Sequence, residues 1–232
     1  MQTTSCLRWA LALAFAGASA AAPTLTARQV IARSLAARGG AARFAAVYAF
    51  HFRGRLEVPR GPAGLEVWGG VRPARIRIEL TLPRGKLVEA WDGKQAWQLA
   101  PGAAAPVVLS GAAARQLQDQ ALNGVDLIAA PGVAVALAGA GRQQGHAYVA
   151  VRFTLPTGDR FTQFFDTRTW LAFHESYPGG VESISDYRRV GGLLLPFRYV
   201  SGPPGRPGAP LVRMAMRLDP AIAPALFALP GS

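Results

Sequence analysis

The strongest constraint on this chain is a hydrophobic period of two. Tyr48, Phe50, Phe52, Leu56 and Val58 alternate with His51, Arg53, Arg55 and Glu57. Ala74, Ile76, Ile78, Leu80 and Leu82 alternate with Arg75, Arg77, Glu79 and Thr81. Ala147, Val149, Val151, Phe153 and Leu155 alternate with Tyr148, Arg152 and Thr154. Successive side chains of a strand point to opposite faces, so each run turns one face to a core or cavity and the other to water. A parallel sheet covered on both faces would read as unbroken apolar runs, so antiparallel strands are expected. Turn signals divide them: Gly61-Pro62, Pro83-Arg84-Gly85, Asp92-Gly93, Pro156-Thr157-Gly158-Asp159, Gly179-Gly180 and Gly191-Gly192. Asp92-Gly93, between Leu87–Trp91 and Ala96–Leu99, is the clearest hairpin. The short spacing predicts about ten to eleven strands in meander order, a mainly β chain.

Two segments break the period. Thr24 or Thr26 can cap a helix over Ala27–Arg38, whose stripe is Val30, Ile31, Ser34, Leu35 and Arg38, and Gly39-Gly40 ends it. Ser110 to Leu122 is alanine-rich, capped by Ser110 and stopped by Asn123-Gly124. A helix placed mid-chain between two groups of strands must lie across a concave sheet face or cover an open end. Ser201–Pro210 reads as a long Pro/Gly loop, and Pro220–Pro230 as a short packed tail. With no internal repeat, residues 21–232 are expected to form one domain.

The first twenty residues read differently. A charged start through Arg8 precedes the apolar run Trp9–Gly17 and the small residues Ala18-Ser19-Ala20. This is the pattern of a cleavable signal peptide, with cleavage expected after Ala20. The run is shorter than the roughly 20 residues a membrane span needs. Cys6, the only cysteine, precedes the apolar run rather than marking its end, so an unanchored, cysteine-free mature chain is expected outside the cytoplasm. A cysteine-free mature chain excludes disulfides, thiol catalysis and cysteine-ligated metals. The net charge is +12, carried mostly by arginine. That excess favours anionic partners such as acidic lipid head groups, and export argues against nucleic acid.

The chain offers little chemistry. His51, His146 and His174 fall on different expected strands without metal-ligand spacing. Neither a metalloprotease helix motif, a serine elbow nor a phosphate-binding glycine loop occurs. Asp166, Glu175, Glu182 and Asp186 are the densest acidic set. Asp166 heads the turn Asp166-Thr167-Arg168-Thr169, where an aspartate bonds its own backbone. Glu182 and Asp186 would share a strand face roughly 13 Å apart, too far for a simple carboxylate pair. His174 and Glu175, adjacent on a strand, should point apart. No metal or cofactor is expected, and no enzyme.

The apolar face carries more. Phe50, Phe52, Leu65, Val67, Ile76, Ile78, Leu80, Trp91 and Trp97 are many large groups for one curved sheet. They suit an ordinary core or a cavity for acyl chains, and periodicity does not separate the two.

Several segments together resemble a known family. Val71-Arg72-Pro73-Ala74-Arg75-Ile76-Arg77-Ile78 is followed by Leu87-Val88-Glu89-Ala90-Trp91-Asp92-Gly93-Lys94-Gln95-Ala96-Trp97. Then come Phe165-Asp166-Thr167-Arg168-Thr169-Trp170-Leu171, Tyr187-Arg188-Arg189-Val190-Gly191-Gly192 with Pro196 after it, and Phe227-Ala228-Leu229-Pro230. In this order they resemble the LolA/LolB-like superfamily of periplasmic lipoprotein carriers. The resemblance implies an unclosed antiparallel β-barrel with a helical lid over an apolar cavity. It implies that Arg72 latches the lid through the lid's backbone, and that Ile76, Ile78 and Leu80 line the cavity. The remaining cavity residues named above come from the alternation alone. The expected function is a non-catalytic, monomeric periplasmic carrier of lipid acyl chains or lipoproteins, with inner- or outer-membrane delivery proteins as candidate partners. Alternatives are a sensor or interaction module of the same fold, and a hydrolase using Asp166, Glu175 or His174.

Overall fold

The structure, a computed structural model, describes residues 25–58, 61–123, 132–206 and 208–231. The segment read as a signal peptide, with Cys6, lies outside the described residues. No helix among the described residues is long and apolar enough to cross a membrane.

Two short helices, α1 (Ala27–Ala37) and α2 (Ala41–Ala46), lead into six strands. These are β1 (Ala49–Val58), β2 (Gly61–Val71), β3 (Ala74–Leu82), β4 (Gly85–Trp91), β5 (Ala96–Leu99) and β6 (Val107–Leu109). Helix α3 (Gly111–Asn123) follows. Seven more strands are β7 (Ala134–Gln143), β8 (His146–Thr154), β9 (Arg160–Asp166), β10 (Ala172–Tyr177), β11 (Gly180–Val190), β12 (Leu193–Gly202) and β13 (Ala209–Leu218).

All thirteen strands form one antiparallel sheet in the order β6-β5-β4-β3-β2-β1-β13-β12-β11-β10-β9-β8-β7. It is two meanders joined where β1 pairs with β13. The edges are β6 and β7, and α3 is the helix between them in sequence. A β6–β7 pairing would have closed the barrel; the sheet order leaves β6 and β7 as its two edges. The sheet has more strands than the ten to eleven expected. Strand β7, Ala/Gly-rich and largely exposed at the edge, buries no face and so shows no alternation. The expected loop at 201–210 is also shorter, because β12 and β13 pair through Val200↔Pro210 and Ser201↔Ala209.

The local signals act as the sequence implies. Thr26 accepts a bond from the Gln29 backbone N–H while the Gln29 side chain accepts from the Thr26 backbone, a reciprocal cap. Gly39 ends α1 at φ 119°, a conformation that favours glycine, and a Cβ there would press against the Gly192 carbonyl. Asp92 accepts from the Lys94 and Gln95 backbone N–H groups at 2.7 and 2.8 Å and folds the β4–β5 hairpin.

Two apolar clusters fill the concave face unequally. Val30, Ile31 and Leu35 of α1 pack with Phe44 against Val151, Phe153, Phe161, Phe165, Leu193 and Leu195. Burying each such side chain contributes about 2 kcal/mol. On the other half, Phe50, Phe52, Leu65, Val67 and Ile76 pack with only Ala121 from α3. A third cluster lies on the convex side, where Val88, Ala90 and Trp97 are covered by Leu229 of the C-terminal tail. The Trp97 indole N–H donates to the Phe227 carbonyl at 2.9 Å, and Arg77 donates to the Leu226 carbonyl at 3.1 Å. The expected packed tail is thus a strap over the outside of the sheet.

Candidate functional site

A cavity of about 590 Å³ lies on the concave face, between β1–β4, β9–β13 and α3. Its volume is within the range of small-molecule sites, about 300–1,000 Å³. Phe50, Phe52, Leu65, Val67, Ile76, Ile78 and Leu80 line it. They come from three adjacent strands in register, as Leu65↔Leu80 and Val67↔Ile78 show, so alternation puts them all on one wall. The structure places the two tryptophans elsewhere. Trp91 is opposite Ile76 on β3 and packs beside the Phe50 cluster, away from the cavity surface. Trp97 lies opposite Ala90, one position out of phase with the inner face, and is fully buried on the convex side under the tail.

Helix α3 is the lid. Its Leu117 and Ala121 are buried, while its Gln116 and Gln120 line the cavity. It packs on β2–β5, and Thr157, in the β8–β9 turn of the opposite half of the sheet, donates to Asp119 Oδ1 at 2.6 Å. Burial pushes the Asp119 carboxyl up to about 6, and neighbouring Asp159 adds to this against the Thr157 bond. Arg72 does not reach this helix. Its guanidinium donates to the carbonyls of Ala45 and Val47, so it fastens the α2 end of the N-terminal segment. The implied latch on the mid-chain lid is replaced by one on α2, because the start of β3 lies beside the α2–β1 connection.

The wall across from the apolar strands sets a polar row among Ala172, Ile184, Pro196 and Leu211. Glu175 of β10 stands directly opposite Gln163 of β9 and Glu182 of β11, and Glu182 directly opposite Ser201 of β12. All four line the cavity. Gln163 donates to Glu175 Oε2 at 3.0 Å, and the Ser201 hydroxyl donates to Glu182. Burial pushes the Glu175 carboxyl up to about 7, with the Glu182 charge adding to it. Burial also raises Glu182. Nearby, Arg213 lies between the rings of Phe52 and Tyr199, 4.6 and 4.9 Å from their centres. Burial lowers the pKa of Arg38 and raises that of Tyr199.

The sequence reading set Glu182 against Asp186 along one strand and missed this pair. Glu175 and Glu182 sit symmetrically about the Pro178-Gly179 turn, and that symmetry was the available signal. Asp186 leaves the inner face: its φ is 55°, its side chain is exposed, and it pairs with Arg188 at 2.6 Å. His174 is buried against Phe164 on the other side of β10 from Glu175, as strand alternation requires. Asp166 heads its turn as expected, accepting from the Arg168 and Thr169 backbone at 2.8 and 2.9 Å. Burial raises its carboxyl, but bonds from His146, Thr169 and Arg168 outweigh this and hold it at about 2. His174, Glu175 and Asp166 therefore do not converge on one reacting point. Among the described residues, no group of three or more His, Asp or Glu side chains is placed to hold a metal ion.

No protein-family model matches the chain, and no curated protein matches it significantly in sequence. Solved structures do match. A DUF1329 family protein from Desulfovibrio piger superposes with TM-score 0.61 at 13% identity, covering 87% of this chain and 97% of its own. A LolA superfamily protein from Nitrosomonas europaea gives TM-score 0.61 at 12% identity, over 88% and 98%. A domain from Vibrio parahaemolyticus described as an outer membrane lipoprotein-sorting protein gives 0.57 at 8%, over 85% and 94%. These matches span nearly the whole of each neighbour, so the chain shares the fold of these proteins, a LolA superfamily protein among them.

Proposed function

We propose that this protein is an exported, non-catalytic carrier that holds a lipid-like cargo beneath α3. The observation that carries the reading is the cavity itself: about 590 Å³ behind an apolar wall of seven large side chains, covered by one helix. An ordinary core would fill that space. Burying ten methylenes of an acyl chain there would contribute roughly 8 kcal/mol before ordering costs. No bond needs to be made or broken. The fold shared with a LolA superfamily protein and a lipoprotein-sorting domain supports lipid-modified or hydrophobic cargo, and the expected signal peptide supports the periplasm as its place of work. The +12 charge would draw the carrier towards anionic membrane surfaces, an attraction that added salt weakens.

The test is gentle purification from the native host followed by native mass spectrometry. A carrier retains lipid in stoichiometric amount, and the delipidated protein takes up a fluorescent fatty-acyl probe. Protein that is always empty and binds no apolar probe would refute the proposal.

A further inference from the structure

The cavity is apolar on one wall only, and the other wall has a chemistry of its own. Gln163, Glu175, Glu182 and Ser201 form a continuous row across β9–β12, each directly opposite the next. Like charges in that position repel, and a buried carboxylate with nothing to pair with is commonly better replaced by an apolar residue. In this row each carboxylate accepts a bond from a neutral side-chain donor, Gln163 or Ser201. Both border the cavity.

The arginines at this end are committed differently. Arg38 and Arg213 also line the cavity, but Arg213 donates to the Pro196 carbonyl at 2.9 Å, two aromatic rings flank its guanidinium, and its Nε is buried without a partner. Arg38 donates to the Leu194 carbonyl at 3.1 Å and lies against Phe44 and Tyr187. The Arg213 charge eases the burial of Glu182, yet it is the carboxylate oxygens that the row presents as acceptors. An anionic head group would meet two acidic side chains there. A hydroxyl would satisfy one oxygen. An ammonium brings three donors and the opposite charge.

We propose that Glu175 and Glu182 form the head-group subsite of the cavity and that it takes an amphiphile with a primary ammonium head, its hydrocarbon chain lying along Phe50, Val67 and Ile78. This rests on the carrier reading and names the cargo's chemical class. It is opposite in sign to what the net charge of the whole protein suggests, because the subsite is set by local groups.

Displacement of a neutral naphthylamine dye from the delipidated protein at pH 8 tests it, with dodecylamine, dodecanoate and dodecanol as competitors of one chain length. Dodecylamine should bind roughly tenfold or more tightly than dodecanoate, with dodecanol between. The double substitution Glu175→Gln with Glu182→Gln should abolish the preference of dodecylamine over dodecanoate, and retained binding of the neutral dye shows that the variant keeps its fold and cavity. Dodecanol binding with no preference for the amine, a preference for dodecanoate, or an amine preference that survives the double substitution would overturn the head-group assignment and leave the carrier reading standing. If neither the dye nor any of the three binds, the carrier reading falls and the subsite falls with it.

Discussion

The replacement Glu175→Gln should make this protein more stable above neutral pH. Burial, aided by Glu182, moves the Glu175 carboxyl from 4.5 to about 7. Each pKa unit is worth about 1.4 kcal/mol, so ionising this group in the folded state costs up to about 3 kcal/mol. The folded chain holds a proton here that the unfolded chain releases near 4.5. The contribution to stability is therefore complete below pH 4.5, declines as pH rises, and is lost above about 7. Glutamine stays neutral throughout, and its side-chain carbonyl can still accept the bond that Gln163 donates at 3.0 Å. Urea unfolding followed by tryptophan fluorescence, from pH 4.5 to 8.5, gives the free energies, with the slope against urea as a check that the same surface is exposed. The wild type should lose stability across pH 5–8 relative to the variant, which should match it near pH 4.5 and exceed it by up to about 3 kcal/mol at pH 8. Parallel pH curves would mean that Glu175 ionises normally and that the polar wall is not the low-dielectric environment described.

Arg72→Leu removes the bonds to the Ala45 and Val47 carbonyls and should cost about 1 kcal/mol, with faster hydrogen exchange at α2 but not at α3; a loss of protection centred on α3 would contradict the assignment of this latch. Thr157→Val deletes the tie to Asp119 and should speed exchange in α3, again by about 1 kcal/mol. Burial raises Asp119 to about 6 beside Asp159, so the wild-type lid should itself loosen as pH rises from 5 to 7, after correction for intrinsic exchange rates; constant α3 protection would refute this. Trp97→Phe leaves the Phe227 carbonyl without its donor and should cost about 1–3 kcal/mol while exposing the C-terminal strap to carboxypeptidase; unchanged resistance would show that Leu229 and Arg77 suffice to hold it.

Most of the fold was legible because most strands bury one face. Phe50, Phe52, Leu65, Val67, Ile76, Ile78 and Leu80 announce themselves by alternation, and pairing in register brings them to one wall. Strand β7 was not legible, since an exposed edge of Ala and Gly has no buried face to mark. Trp97 is assigned to the apolar face with the alternating residues, whereas its pairing opposite Ala90 puts it on the other side of the sheet. The polar wall was hidden for another reason. Pairing across a hairpin depends on where the turn lies, and Glu175 meets Glu182 only because Tyr177 pairs with Gly180. A bulge in β10 between Ala172 and His174 also lets both Ala172 and Glu175 face inward, which simple alternation forbids.

Whether the apolar face encloses a core or a cavity was open from its own residues, because core side chains and acyl chains require the same neighbours. The deciding residues are on the helix opposite. Helix α1 presents Val30, Ile31 and Leu35, and its half of the sheet is filled. Helix α3 has the sequence GAAARQLQDQALN; it buries Leu117 and Ala121 and turns Gln116 and Gln120 towards the same space. Such a helix has too little volume to occupy the space in front of Phe50, Val67 and Ile78. Its glutamines are tolerated there because a cavity, unlike a close-packed core, leaves polar groups room for partners. A lid of small and polar residues over a floor of large apolar ones is thus a sequence pattern for an enclosed space. It is read from two elements together, and neither element shows it alone.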